Sequence, residues 1–138
     1  MAKILAFAGS LRTGSYNKMM VAVAAKAAKA AGADVRTIDL RDLPLPLYDG
    51  DIESEKGLPD NAKKLKAMMK ESDGFLIASP EYNSGPSAAL KNAIDWASRP
   101  EPGEASLAAF TGKAVVLMSA SPGGLGGLRG LAHVRSIL

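Results

Sequence analysis

Residues 3–32 read KILAFAGSLRTGSYNKMMVAVAAKAAKAAG, and the change of period within them decides the fold. Lys3 to Ala8 is a short apolar β-type run that Gly9 ends. Tyr16 to Ala31 is mostly Ala, Met, Val and Lys, a helix-forming composition, and Gly32 supplies a C-terminal cap. Between them, Gly9 to Lys18 places Ser10, Thr13 and Ser15, two cations and Asn17 at a strand-to-helix junction.

The same alternation recurs along the chain. Val35 to Leu40 (VRTIDL) reads as a second strand. Arg41 to Asp60 holds Pro44, Pro46, Pro59, Gly50 and Gly57 and reads as loop, with Leu43 to Tyr48 extended and packed. A helix opens at Pro59 or Asp60 and runs to Glu71, with Lys63, Lys64, Lys66 and Lys70 as its wet side. Gly74 to Ala78 is a continuous apolar strand, as expected where both faces are covered. A third helix spans Pro86 or Ser87 to Ser98, and Arg99 to Gly112 is loop. Lys113 to Ser119 is a fourth strand, followed by the glycine-rich Ser121 to Gly127 and a helical stretch to Leu138. Four strands alternating with helices predict an α/β fold, a doubly wound parallel sheet of order 2-1-3-4 with right-handed connections, in one domain over 1–138.

Composition narrows the chemistry. The 138 residues suffice for one core, and 47% apolar with 22% charged residues is ordinary for a globular domain. The net charge of +3 comes from scattered Lys and Arg with no dense basic run, so no nucleic-acid partner is expected. Cysteine is absent, which excludes disulfides, thiolate metal sites and a Cys nucleophile, and a lone His133 leaves no His-rich metal site. No apolar run approaches the ~20 residues that span a bilayer. Met1-Ala-Lys3 leads straight into a strand, unlike a signal peptide, so a cytoplasmic location is expected.

Three loops follow the carboxyl ends of apolar strands, where open α/β sheets bind ligands. The first, Gly9 to Lys18, is neither a Walker A motif nor GxGxxG. Its hydroxyls, the Asn17 amide, Arg12 and free helix N–H groups suit one phosphate monoester without a metal; an ordinary capped turn is the alternative. The second, Ser79 to Gly85 (SPEYNSG), is a rigid polar-edged turn that could lie along a flat heterocycle, or a turn whose Tyr82 covers the core. The third, Ser119 to Gly127, lets backbone approach a ligand closely, or is a flexible crossover. Trp96 and Ile94 read as core or interface, and Met19, Met20, Met68 and Met69 as packing. His133 reads as structural or exposed, and Asp39 and Asp42 imitate a ribose-binding acid only weakly without the glycine fingerprint.

Taken together, GSLRTGSYNK, SPEYNSG followed by LKNAIDWASRP, and SASPGGLGGLR resemble the NADPH-dependent FMN reductase family. The resemblance runs from the first strand to the last residue. It implies a flavodoxin-like fold, bound FMN, and NAD(P)H as co-substrate for reducing a quinone, azo compound, free flavin or metal oxyanion. It implies that Ser10, Arg12, Ser15, Tyr16 and Asn17 hold the FMN phosphate. It places Pro80, Glu81, Tyr82 and Asn83 along the isoalloxazine ring, counts Ser84 and Gly85 among the cofactor-binding residues, and sets Ser119, Ala120, Ser121, Gly123 and Gly124 beside the ribityl chain and ring edge. No side chain is expected to act as catalytic acid, base or nucleophile, because the cofactor does the chemistry.

The resemblance also implies a homodimer or homotetramer with the flavin near the interface. Relatives place the proline after PEYN one residue later than Pro86. They continue past the helix begun at Leu128 into a fifth strand and a last helix. The expectation is therefore a C-terminally truncated domain whose fourth strand is a sheet edge. The rival readings are a flavodoxin-type electron carrier without its own substrate and a flavin-free interaction module. Carriers tend to be acidic around the flavin, and +3 opposes that.

Overall fold

A computed structural model describes residues 1–138. Its main sheet contains β1 (Lys3–Ala8), β2 (Asp34–Thr37), β3 (Gly74–Ala78) and β6 (Ala114–Met118), all parallel, in the order β2-β1-β3-β6. This is the predicted 2-1-3-4 arrangement. A second, two-stranded ladder, β4 (Glu81–Tyr82) against β5 (Gly85–Pro86), was not foreseen and sits inside the SPEYNSG turn.

Helix α1 (Tyr16–Ala30) covers one face of the sheet. It buries Asn17, Val21 and Ala25, one face at a spacing of four, and Val21 and Ala25 pack on Ala6, Ala8, Val35 and Ala78. Small residues on both sides let the helix lie close to the strands. The other face carries Leu5, Phe7, Phe75 and Ile77 beneath α3 (Asp60–Glu71), α4 (Ala88–Ala97) and Val134 of α5 (Leu128–Ile137). Met19 departs from its expected packing role: it is 57% exposed on the outer side of α1. Edge strand β6 has no fully buried residue, and Val116 is 54% exposed.

Two further expectations are corrected. The stretch 41–60 is not all loop: Gly50–Lys56 forms α2, because Asp49 accepts the Asp51 N–H as its N-cap and Gly57, at φ +69°, ends it. The Leu43–Tyr48 segment does pack as expected. Trp96, fully buried, donates Nε1–H to the Pro46 carbonyl at 2.8 Å and meets Tyr48 edge-to-face at 5.0 Å. Lys66 is not on a wet face either. It is 1% exposed, donating to the Arg99 carbonyl at 2.5 Å and pairing with Glu104. That pair fixes the 99–112 loop against α3, and burial of the ammonium is tolerated only because its partners come with it.

Sheet register positions the three loops. Ala8 pairs with Ala78, and Ala78 pairs with Met118, so β1, β3 and β6 end at one level. The ladder continues one residue further, through Gly9 N–H to Ala78 O at 2.8 Å and Ser79 N–H to Met118 O at 2.8 Å. All three loops therefore leave the sheet side by side.

Candidate functional site

A cleft of about 130 Å3 opens where the loops meet. Ser10, Arg12, Ser15, Tyr16 and Asn17 line it from the first loop, Pro80, Glu81 and Tyr82 from the second, and Ala120, Ser121 and Pro122 from the third. Ten of the sixteen residues expected from the sequence meet here. Asn83, Ser84 and Gly85 do not, because they form the hairpin tip beyond Tyr82; nor do Ser119, Gly123 and Gly124. Pro122 was not among the expected residues.

The first loop presents donors with little acid among them. Ser15 caps α1, its Oγ accepting the Lys18 N–H at 3.4 Å, and Ser10 Oγ accepts the Arg12 N–H at 3.3 Å. Both serines are buried, while the Arg12 side chain is exposed and forms no ion pair. No acidic residue occupies the first turn of α1, so the positive end of that helix is not neutralised from within. Lys18 is spent elsewhere: it pairs with Asp39 at 2.6 Å. Asp39 is held below the usual carboxylate range by the Lys18 bond and the Arg41 N–H, against the opposing effect of its burial, which is the largest single influence. That assigns Asp39 to an ion pair and to the cap of the 40–42 turn. Arg41 reaches across to Thr13 Oγ1 at 2.6 Å.

Asn17 ties two of the loops together. Its Nδ2 donates to the Ala120 carbonyl at 3.1 Å and its Oδ1 accepts the Ala120 N–H at 3.0 Å. The amide is 4% exposed and clamps the first loop to the third.

Glu81 reaches from the second loop to α5. Oε2 accepts the Gly130 N–H at 2.9 Å and Oε1 lies 3.2 Å from Arg129. The Gly130 hydrogen bond is the main reason its carboxyl sits below the usual range, with Arg129 adding to it. A Cβ at position 130 would lie 3.1 Å from Glu81 Cβ, so glycine there lets the turn approach α5. Gly127, at φ +88°, would bring a Cβ into Ser119 Oγ, which is buried without a partner. Arg129 was missed in the sequence. A cation in the first turn of a helix opposes the dipole, and that misfit was the legible sign of a carboxylate partner.

The second loop closes as a two-residue hairpin. Tyr82 pairs with Gly85, and Asn83 and Ser84 have φ of +51° and +66°. Both central residues being left-handed marks the turn type whose twist suits a hairpin. Pro86 then occupies β5, where it needs no N–H, and Ser87 caps α4 by accepting the Leu90 N–H at 3.1 Å.

A larger depression, about 530 Å3, lies along the outer edge of β2 beside α3. It is lined by charges of both signs, Arg36 and Lys64 with Asp39, Asp42 and Glu71, and no loop after a strand's carboxyl end other than that of β2 reaches it. Size alone does not make it the site. The smaller cleft is favoured because three strand ends deliver donors to it.

The chain is similar to known proteins along its whole length. The family profile described as NADPH-dependent FMN reductase matches residues 2–138. A quinone reductase of Escherichia coli is 37% identical over 142 residues, covering 99% of this chain and 69% of that protein. An NAD(P)H-dependent FMN reductase of Pseudomonas aeruginosa is 36% identical, covering 99% and 69%. Among solved structures, the flavoenzyme NAD(P)H:(acceptor) oxidoreductase FerB from Paracoccus denitrificans superposes with a TM-score of 0.80 at 29% identity, over 99% of this chain and 70% of that one.

Proposed function

Because this chain belongs to the NADPH-dependent FMN reductase family, we propose that it is an FMN-dependent NAD(P)H oxidoreductase that reduces a quinone or another small acceptor. The observation that carries the assignment is the first loop: two buried serines and an ion-pair-free arginine at a helix N-terminus with no acid in its first turn.

That donor set fits a phosphate monoester. A dianion can take N–H groups from the helix end, hydroxyls from Ser10 and Ser15, and the Arg12 guanidinium, with no metal needed for neutralisation. FMN, when bound, supplies the hydride acceptor and the electron source for the second substrate. The protein's part is to bind, orient and hold. Arg12 and the α1 N-terminus fix the phosphate, Pro80 and Tyr82 wall the cleft, and Ala120 and Ser121 close its opposite side. Glu81 stays ionised and committed to α5, so it does not serve as a proton donor.

The reading includes a single domain over 1–138, a cytoplasmic location, and a homodimer or homotetramer. Light scattering on a sizing column tests the assembly. Steady-state NAD(P)H oxidation with a quinone tests the activity. Turnover that requires FMN is expected; a flavin-bound protein that oxidises no NAD(P)H with any acceptor would be a carrier instead.

A further inference from the structure

A trough leaves the cleft on the far side of Tyr82. Its near section, about 340 Å3, shares Ser10, Arg12 and Tyr82 with the cleft. Its far section, about 170 Å3, is joined to the near one through Leu11 and Ala89 and runs on between Leu40, Leu43, Leu45 and Ala93. Polarity falls steadily along this path. The cleft end holds a guanidinium and hydroxyls, whereas the far section contains no charged group. Asn92, its one polar side chain, is already used, accepting the Tyr48 N–H and donating to the Pro46 carbonyl, both at 2.8 Å. With no charged side chain and its one amide side chain bonded to the protein, that end suits an apolar ligand better than a polar one.

An amphiphile with a polar ring and an apolar chain matches this gradient. We propose that the trough receives the alkyl or isoprenoid tail of a quinone whose ring is reduced in the cleft. The inference rests on the quinone reductase reading above and narrows its substrate class to tailed quinones. The redox balance is that of the reading itself. NAD(P)H is oxidised to NAD(P)+, and the quinone gains two electrons, the hydride's proton and one proton from water, leaving as hydroquinone. The trough adds only affinity, on the order of fourfold for each methylene withdrawn from water.

The test uses the FMN-loaded full chain with two benzoquinones that share one ring, one bearing a decyl tail and one bearing none. The tailed quinone is expected to show a KM at least tenfold lower at similar kcat. Ala89→Glu puts a carboxylate at the join of the two sections, on the first turn of α4 where the helix dipole favours it. It is expected to raise the KM of the tailed quinone alone. Equal KM values in the unaltered protein would overturn the proposal, and need no variant. A tail advantage that survives Ala89→Glu would also overturn it, since partition into micelles would then explain the effect. Dissociation of an oligomer by Ala89→Glu, without any change in tail preference, would assign the trough to a second copy of the chain and overturn it too. No turnover with either quinone would instead defeat the reductase reading on which it stands.

Discussion

The side-chain amide of Asn17 makes two hydrogen bonds to the backbone of Ala120, 103 residues away, at 3.1 and 3.0 Å. The first and third loops are thereby held at a fixed separation by one buried side chain. Through that clamp Asn17 shapes the whole cleft, while its second amide N–H is not used by Ala120. Asn17→Ala removes two bonds worth about 1 kcal/mol each and leaves the Ala120 N–H and carbonyl to find other partners. The expected outcome is weaker binding of FMN and of riboflavin by the same factor, about tenfold, measured by flavin fluorescence quenching. Loss confined to FMN would make Asn17 a phosphate ligand.

The hairpin tip invites a stabilising change. Ser84 sits at φ +66°, a region that costs a residue with a Cβ about 1–2 kcal/mol and glycine almost nothing. The unfolded-state entropy of glycine offsets part of that gain. Ser84→Gly is expected to raise the unfolding free energy by ~0.5–1 kcal/mol in a urea titration, with flavin binding unchanged because Ser84 does not line the cleft. A loss of stability would contradict the hairpin geometry.

Acid sensitivity should centre on Glu104. It accepts from Lys66, from Lys70 at 2.7 Å and from the Glu101 N–H at 3.1 Å, and its carboxyl is held down at about 2, chiefly by the Lys66 bond. Unfolded, the same group titrates near its ordinary 4.5. Between those values the unfolded chain binds the extra proton, so stability rises with pH across the window. The contribution is complete above about 4.5 and disappears as pH falls toward about 2. Glu104→Gln should flatten that part of the stability–pH curve and lower Tm, since it strips Lys66 of the nearer of its two carboxylate partners. The double variant Lys66→Met with Glu104→Gln should recover most of the loss, because an apolar side chain needs no partner. If the double variant is no more stable than Glu104→Gln alone, the ion pair is not what fixes the loop.

Much of this arrangement was legible in the sequence. The strand order and the convergence of three loops follow from where apolar runs stop and polar loops begin, a local signal. Helix α2 was hidden because its cap, Asp49, and its terminator, Gly57, lie in a stretch whose prolines and glycines also spell loop. The burial of Lys66 could not be read from its own helix, since Glu104 lies 38 residues downstream in an irregular segment. The protein partners of Asn17 and Glu81 were hidden for the same reason. Their types suit a ligand, and only the fold reveals that Ala120 and Gly130 already occupy them.

The central claim is that the Gly9–Lys18 loop holds the phosphate of FMN. Titration of the flavin-free protein with FMN and with riboflavin tests it most directly, since the two differ only in that group. FMN is expected to bind at least tenfold more tightly. Arg12→Ala should narrow the gap by ~1.5–3 kcal/mol, the range for a hydrogen bond to a charged group, while leaving riboflavin unchanged. Equal affinity for FMN and riboflavin, or an Arg12→Ala variant that retains the full difference, would contradict the account.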